Sequence, residues 1–288
     1  MKIRIGTRKS RLALAQTQMV ADRIKDKFPD TEIEIINITT TGDRIFDRPL
    51  MEIGGKGVFV SEIENALKNS IIDIAVHSAK DLPVILADGL EISGVLERGD
   101  YRDVLVVKKG HHIENDKSFI VGTGSLRRRL NLQKIYPHVS FENIRGNVDT
   151  RLNKLLSGKY DGIILAAAGL ERLGFNSDDK FDFLYFDYTK FLPAPCQGII
   201  AIESRKDDFV TPIIERINDK DTFLSFETER YIIELLNSGC GVPLAAYSFK
   251  ENGNITVYLS KDGKRTVFGT DKTENRFRLA EELICSYE

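Results

Sequence analysis

The chain has 288 residues, of which 42% are hydrophobic and 29% are charged, and its formal net charge is −2. This length exceeds that of a typical single domain and predicts two or three domains with substantial cores. A chain without a basic excess argues against a nucleic-acid partner. The sequence contains no secretory signal and no apolar run of about 18 residues, so we expect a cytoplasmic protein with no membrane partner.

Three cysteines, Cys196, Cys240 and Cys285, stand at unpaired spacings without a CxxC motif. This pattern argues against a disulfide framework and predicts no metal site. Cys196 and Cys285 are expected to be small buried fillers, with a reactive thiol as the alternative for Cys196. Cys240 is different, because glycine flanks it on both sides and Pro243 follows, a layout that presents the sulfur to another group.

The N-terminal segment is predicted to run from a strand through a turn into a helix. The strand is KIRIG (2–6), and Ser10 is a good N-cap for the helix. Arg8 and Arg11 therefore flank a helix N-terminus. Exposed N–H groups and guanidinium groups converge there, which predicts a binding site for a carboxylate or a phosphate.

A similar pattern recurs later in the chain. A predicted strand at 118–122 leads through a Gly-Thr-Gly-Ser turn into a helix that begins with Arg127 and Arg128. Further arginines lie in IRGNVDTR (144–151) and LERLG (170–174). A single cluster of this kind is more often a solvated face, but the position of these arginines at helix starts favours anion binding.

Two segments, IIDIAVHSAKDLP (71–83) and YDGIILAAAGLERLG (160–174), each run from an aspartate through an apolar strand into a polar loop. This pattern is typical of buried parallel strands whose C-terminal ends carry function. We therefore predict two α/β domains of similar design, with linkers near 97–102 and 191–197.

The loop HSAKDLP (77–83) places the ionisable residues His77, Lys80 and Asp81 at the end of a strand. Such a cluster predicts a functional site, although a capping aspartate beside a solvated lysine is an equally simple interpretation. The glycine-rich stretch at 54–67 lacks the spacing of a nucleotide P-loop and does not predict nucleotide binding.

The pattern changes after about residue 220. A helix over 221–239 is followed by three predicted strands, AAYSF, ITVYLS and RTVFG, and then by a helix from about 273 to 285. The turns ENGN and KDGK join the strands. This is a small α+β domain with a three-stranded sheet, and Cys240 lies on the loop that leaves its first helix.

Eight stretches together resemble, in this order and over nearly the whole chain, the porphobilinogen deaminase (hydroxymethylbilane synthase) family. They are GTRKSRLALAQ, GGKGVFVSEIE, HSAKDLP, VGTGSLRRR, IRGNVDTRL, AAAGLERLG, PAPCQG and SGCGVPLAAY. The resemblance implies two α/β domains like those of type II periplasmic binding proteins and a third, small domain. The implied boundaries are 1–97 (completed by about 197–217), 98–196 and 218–288.

The resemblance also implies an activity. Family members are transferases of tetrapyrrole (haem) biosynthesis that join four porphobilinogen molecules head to tail into hydroxymethylbilane and release ammonia. The resemblance implies a monomer, a catalytic role for Asp81 and a dipyrromethane cofactor held by a thioether to Cys240. The other implied cofactor-binding residues are Ser78, Lys80, Thr123, Ser125, Arg127, Arg128, Arg145 and Gly146. The implied substrate-binding residues are Arg8, Ser10, Arg11, Lys56, Phe59, Arg151, Arg172 and Gln197.

Two other functions stay open from the residues alone. An anion-binding protein would explain the arginines and the α/β domains, but it would not need Cys240 in a glycine-flanked loop. A cysteine hydrolase would use Cys240 as a nucleophile, yet it needs a base. None of the histidines, which are His77, His111, His112 and His138, falls in the predicted third domain.

The cysteine assignment predicts the mass of the protein. We expect the denatured chain to be heavier than its sequence by two pyrrole units, and we expect Cys240→Ser to lack this increment, as intact-mass measurement will show. A cofactor that survives the substitution would place the thioether on another residue.

Overall fold

The computed structural model describes residues 1–40, 60–113, 118–236 and 242–287. The chain divides into two compact units. The first contains Met1–Arg98 and Ile199–Arg230, and the second contains Gly99–Gly198 and Tyr231–Glu288. This division groups the C-terminal sheet with the second α/β half, so the boundaries of three separate domains stay a prediction.

The elements of the described residues are numbered in chain order. The strands are β1 (Lys2–Thr7), β2 (Glu32–Asn37), β3 (Ile74–Ser78), β4 (Leu90–Val95), β5 (Asp103–Lys108), β6 (Ile120–Gly122), β7 (Ser140–Glu142), β8 (Gly162–Ala166), β9 (Phe181–Phe186), β10 (Ile200–Arg205), β11 (Ala245–Glu251), β12 (Asn254–Ser260) and β13 (Val267–Lys272). The helices are α1 (Arg11–Lys27), α2 (Ser61–Lys68), α3 (Leu126–Ile135), α4 (Val148–Leu156), α5 (Ala167–Arg172), α6 (Thr211–Ile217), α7 (Lys220–Leu235) and α8 (Arg276–Cys285).

The first unit is built on a five-stranded sheet in the order β2-β1-β3-β10-β4. Strand β1 is parallel to β2 and β3, whereas β10 runs antiparallel to β3 and β4. Ile3 and Ile5 of β1 pack with Val20 and Ile24 of α1 in a fully buried cluster. Helix α1 begins where the sequence predicts, because the Ser10 hydroxyl accepts a hydrogen bond from the N–H of Ala13 (3.2 Å).

The second unit repeats this plan with the strand order β7-β6-β8-β5-β9. Strand β6 is parallel to β7 and β8, and β5 runs antiparallel to β8 and β9. Val104 and Val106 of β5 pack with Ile163 and Leu165 of β8. Strand order and direction are thus the same in both halves, which agrees with the prediction of two α/β domains of similar design.

The prediction of buried parallel strands at β3 and β8 is correct for burial and half correct for pairing. The first four residues of each strand are buried. Each strand has a parallel neighbour on one side and an antiparallel neighbour on the other. Burial on both faces produces an apolar run whatever the direction of the neighbour, so the run alone does not distinguish the two cases.

The C-terminal part forms a separate antiparallel sheet in the order β11-β12-β13. Helix α8 covers it with Leu279 and Leu283, which pack against Val257 and Leu259. The predicted fold class, two α/β folds and a small α+β part with a three-stranded sheet, is confirmed. The two other cysteines differ, because Cys196 is buried as predicted but Cys285 is exposed on the solvent side of α8, which corrects the prediction of a buried filler.

The aspartate that precedes the buried strand has the same local role in both halves. Asp73 accepts a hydrogen bond from the backbone N–H of Arg4 (2.8 Å), and Asp161 accepts one from the N–H of Ile120 (2.8 Å). The guanidinium of Arg4 adds two further bonds to Asp73. Burial by itself would raise the pKa of Asp73, but the side-chain and backbone bonds from Arg4 outweigh it, so the pKa is lowered.

Asp73→Asn is expected to destabilise the protein by about 2 kcal/mol at neutral pH, because charge-assisted bonds to Arg4 are lost. A lowered pKa in the fold contributes stability above the unfolded value of 3.8 and loses it as the pH falls through the folded value. The difference between parent and variant should therefore shrink below about pH 4 in urea unfolding. Asp161→Asn is the matched control and should cost less, and equal losses for the two variants would contradict this account.

Candidate functional site

A pocket of about 100 Å³ opens in the first unit, between the start of α1 and the end of β3. Its polar lining comes from Arg8, Ser10, Gln16, His77, Ser78 and Asp81. The sequence predicted five of these in functional sites, namely Arg8, Ser10, His77, Ser78 and Asp81. The start of α1 and the end of β3 therefore meet in one place. The sequence predicted a functional site at each of these two positions.

Asp81 and Lys80 lie on a single 3₁₀ turn, Ala79–Asp81, that directly follows β3. The N–H of Ala79 donates to the carbonyl of Ile199 (3.0 Å), which ties the turn to the strand next to it. Asp81 is exposed, whereas Lys80 is half-buried. An exposed carboxylate at the mouth of a pocket is available to a cationic group, because no protein atoms have to move to uncover it.

Arg230 of α7 binds the segment that follows Asp81. Its guanidinium donates to the carbonyls of Pro83 (2.7 Å) and Val84 (2.6 Å), with a longer contact to Leu82 (3.5 Å). The preceding residue, Glu229, is fully buried and accepts hydrogen bonds from Arg98 (2.7 Å). Helix α7 therefore anchors the loop through backbone carbonyls, which no side-chain pattern in the sequence could reveal.

The second unit carries the other predicted anion site. Ser125 is the N-cap of α3 and accepts from the N–H of Arg128 (3.4 Å), while the Thr123 hydroxyl accepts from the N–H of Ser125 (3.2 Å). Arg127 and Arg128 lie in the first turn of α3, as predicted, but they are buried rather than solvated.

A single buried carboxylate holds both arginines. Arg127 donates to one oxygen of Asp103 (2.7 Å) and Arg128 to the other (2.8 Å). Their remaining bonds go to the carbonyls of Leu192 (2.8 Å) and Ile164 (3.0 Å). Burial lowers the pKa of Arg127 against the opposing effect of Asp103. Two guanidinium groups share one carboxylate, so this cluster carries one excess positive charge.

Arg145, Gly146 and Arg151 lie on the loop and first turns around the start of α4. Gly146 has a φ of 110°, and a Cβ there would come within 2.7 Å of Thr150, so glycine is required. The carbonyl of Gly146 accepts from Arg151 Nε (2.7 Å). Arg145 is exposed. The backbone conformation at Gly146 therefore shapes this loop.

Arg172 and Gln197 bind backbone carbonyls of the second unit. Arg172 Nη2 donates to Gly198 (2.6 Å) and Gln197 Nε2 donates to Tyr101 (2.8 Å). Burial lowers the pKa of Arg172 to about 10, which still leaves the side chain charged at neutral pH. Cys196, next to Gln197, has a φ of 61° and is fully buried. These contacts place Arg172 and Gln197 at the segment where the chain returns to the first unit in sequence.

The remaining predicted residues are outside this description or exposed. Cys240, Lys56 and Phe59 lie outside the described residues. Arg11 is exposed in the first turn of α1. Sequence reasoning did not select Gln16, Asp103, Glu203 or Arg230, which the structure places at or behind the predicted sites. Glu203 lies inside an apolar strand and Asp103 begins one. A carboxylate in an apolar strand was the signal in the sequence that could have identified them.

Comparison with known proteins adds the following similarities. Residues 3–212 match the family model described as porphobilinogen deaminase, dipyromethane cofactor binding domain. Porphobilinogen deaminase of Acetivibrio thermocellus is 45% identical over 96% of this chain and 93% of its own length. The enzymes of Rickettsia bellii and Brevibacillus brevis are 44% and 42% identical over 93% and 99% of this chain, and over 91% and 94% of their own lengths. The substrate binding protein of an amino acid ABC transporter has a TM-score of 0.36 and 15% identity, and the match covers 82% of this chain and 95% of that protein.

The loop anchor can be tested by substitution at Arg230. Arg230→Met is expected to increase amide hydrogen exchange in residues 79–88, because three carbonyls of the loop lose the guanidinium that binds them. Arg216→Met, an exposed arginine on α6 of the same unit, is the matched control and should leave that exchange unchanged. Equal protection of this segment in the Arg230 variant and the parent would show that Arg230 does not hold the loop.

Proposed function

The chain belongs to the porphobilinogen deaminase family, and we propose that it uses the Asp81 pocket to join four porphobilinogen molecules head to tail into hydroxymethylbilane with release of ammonia. It is a transferase of tetrapyrrole biosynthesis. The observation that carries this proposal is the pocket of the first unit, which combines Asp81 with Arg8 and the capped start of α1. This arrangement offers one carboxylate for a cation and a positive end for carboxylates.

The substrate explains the placement of the basic residues. Each porphobilinogen carries an acetate and a propionate, so a growing chain is a small polyanion, and arginine binds carboxylates with charge-assisted, often bidentate bonds. Clustered arginines in a chain of net charge −2 are better suited to such a small ligand than to a nucleic acid. We propose substrate contacts for Arg8, Ser10, Arg11, Lys56, Phe59, Arg151, Arg172 and Gln197.

The family's cofactor is dipyrromethane, and the residues present fit it. The buried cluster of Arg127, Arg128 and Asp103 supports this fit, because its excess positive charge favours an acidic ligand nearby. When bound, dipyrromethane supplies the pyrrole carbon to which substrate units are added. We propose that Cys240 holds it covalently, and that Ser78, Lys80, Thr123, Ser125, Arg127, Arg128, Arg145 and Gly146 bind or orient it.

Asp81 has the catalytic role in this proposal. Loss of ammonia from porphobilinogen leaves a cation delocalised over the pyrrole ring. A carboxylate fixed on the short turn after β3 stabilises that charge more than it stabilises the neutral ring, which lowers the barrier. The tie between Ala79 and Ile199 and the clamp from Arg230 keep this carboxylate in place, so little reorganisation is needed during the reaction.

The two alternative functions lose support. A pure anion-binding protein would not need the dipyromethane cofactor binding domain that residues 3–212 match. A cysteine hydrolase at Cys240 requires a base, and none of the four histidines of the sequence lies in the proposed third domain.

We further propose a cytoplasmic monomer without nucleic-acid or membrane partners, organised as domains 1–97 (completed by about 197–217), 98–196 and 218–288. The nearly balanced charge supports the absence of a nucleic-acid partner. Within the described part of the chain, no helix is long and apolar enough to cross a bilayer.

Asp81→Asn tests the proposal, because it keeps the size of the side chain and removes its charge. Turnover is expected to fall about 100-fold or more, since one preorganised electrostatic group is lost, while the cofactor mass and thermal unfolding stay those of the parent. Steady-state kinetics, intact mass and calorimetry of the same preparation measure these three quantities.

Asp81→Glu is the matched control, because it restores the charge about one methylene away and should recover part of the rate. An Asp81→Asn protein that carries the cofactor, unfolds like the parent and polymerises porphobilinogen at the parent rate would exclude Asp81 from catalysis. Asp81 would then be only the turn-capping residue that the sequence alone allowed.

A further inference from the structure

His77 and Glu203 form a buried pair directly behind the pocket. His77 Nε2 lies 2.8 Å from Glu203 Oε2, and the two side chains are 8% and 0% exposed. They lie on the adjacent antiparallel strands β3 and β10, where His77 is opposite Ala201 and Glu203 is opposite Ala75. The two residues therefore share one face of the sheet as diagonal neighbours. The role proposed for Asp81 does not use this pair.

The two nitrogens of His77 have different surroundings. Nε2 is bonded to Glu203, whereas Nδ1 makes no hydrogen bond to any residue that the structure describes. His77 is also one of the residues that line the pocket. With the proton of the neutral ring on Nε2, donated to Glu203, Nδ1 keeps a lone pair for a group bound in the pocket. An imidazole that is oriented by a carboxylate and open on its other nitrogen is the arrangement of a general base.

The other oxygen of Glu203 strengthens this interpretation. Glu203 Oε1 is buried and has no hydrogen-bond partner among the described residues. The carboxylate is thus held mainly by His77, and a protonated imidazole would compensate its charge better than a neutral one. A proton that arrives at Nδ1 is therefore stabilised by the group behind the ring.

We propose that His77, oriented by Glu203, is a second catalytic residue that accepts the proton released at each condensation. The proposal rests on the proposed function of the pocket and divides the work there, because Asp81 stabilises positive charge and His77 removes the proton. Each addition replaces a ring C–H bond by a C–C bond. The electron pair of the broken C–H bond returns to the pyrrole ring, the proton goes to Nδ1, and the imidazolium then releases it to water.

The first test uses enzyme that carries its cofactor, verified by intact mass. His77→Asn is expected to lower kcat about 100-fold or more with a smaller effect on KM. His112→Asn is the matched control, since His112 is exposed and lies in the second unit, and it should keep the parent values. A folded, cofactor-bearing His77→Asn protein with the parent kcat would overturn the proposal.

The second test does not depend on turnover. The chain has four histidines, so the His77 ring nitrogens can be assigned by NMR. Their shifts should show the proton on Nε2 and the lone pair on Nδ1, and Glu203→Gln should change this tautomer balance by removing the carboxylate that accepts the Nε2–H bond. A ring that carries its proton on Nδ1, or a balance unchanged in Glu203→Gln, would reject the pair as a proton acceptor even if His77→Asn does not fold.

The two proposals fail separately. If Asp81→Asn is slow and His77→Asn is not, the pocket is the active site and His77 is only a structural partner of Glu203. If Asp81→Asn keeps the parent rate, the proposed function of the pocket fails first.

Discussion

Each α/β sheet of this protein contains a fully buried carboxylate on the strand that runs against its two neighbours. Glu203 lies on β10 in the first unit and Asp103 lies on β5 in the second, and neither is exposed to solvent. A buried carboxylate is costly unless a cation or several donors compensate it. The compensating groups, His77 in one unit and the two arginines of α3 in the other, come from the elements that carry the predicted sites.

The first unit therefore contains two kinds of carboxylate, one buried and one exposed. Glu203 is committed to its partner in the interior, whereas Asp81 is exposed on the turn after β3 and can meet a cationic substrate. The same strand, β3, leads to both, since His77 is its fourth residue and the Asp81 turn begins at its end. Strand β3 thus carries the histidine of the buried pair and leads directly into the turn that holds the accessible carboxylate.

The sequence was informative wherever a local rule decides the outcome. Ser10 caps its helix as predicted, because the capping bond joins residues only three positions apart. The turns around Asn252 and Gly263 joined the three C-terminal strands as expected from their composition. Long-range partners were not accessible in this way. Asp103 binds residues 24 and 25 positions away, and Arg230 binds carbonyls more than 145 positions away.

The sequence alone determined the order of the motifs and the family. It also determined the helix starts with their arginines and the position of Asp81 at the end of a buried strand. These features depend on residue type and short spacing, which a linear chain records directly. Only the tertiary structure decided which strand lies beside β3, and so that Glu203 stands behind His77 and that Arg127 and Arg128 are buried against Asp103. Strand order depends on the packing of apolar faces between segments far apart in the chain, and several orders satisfy the same alternation of apolar and polar residues.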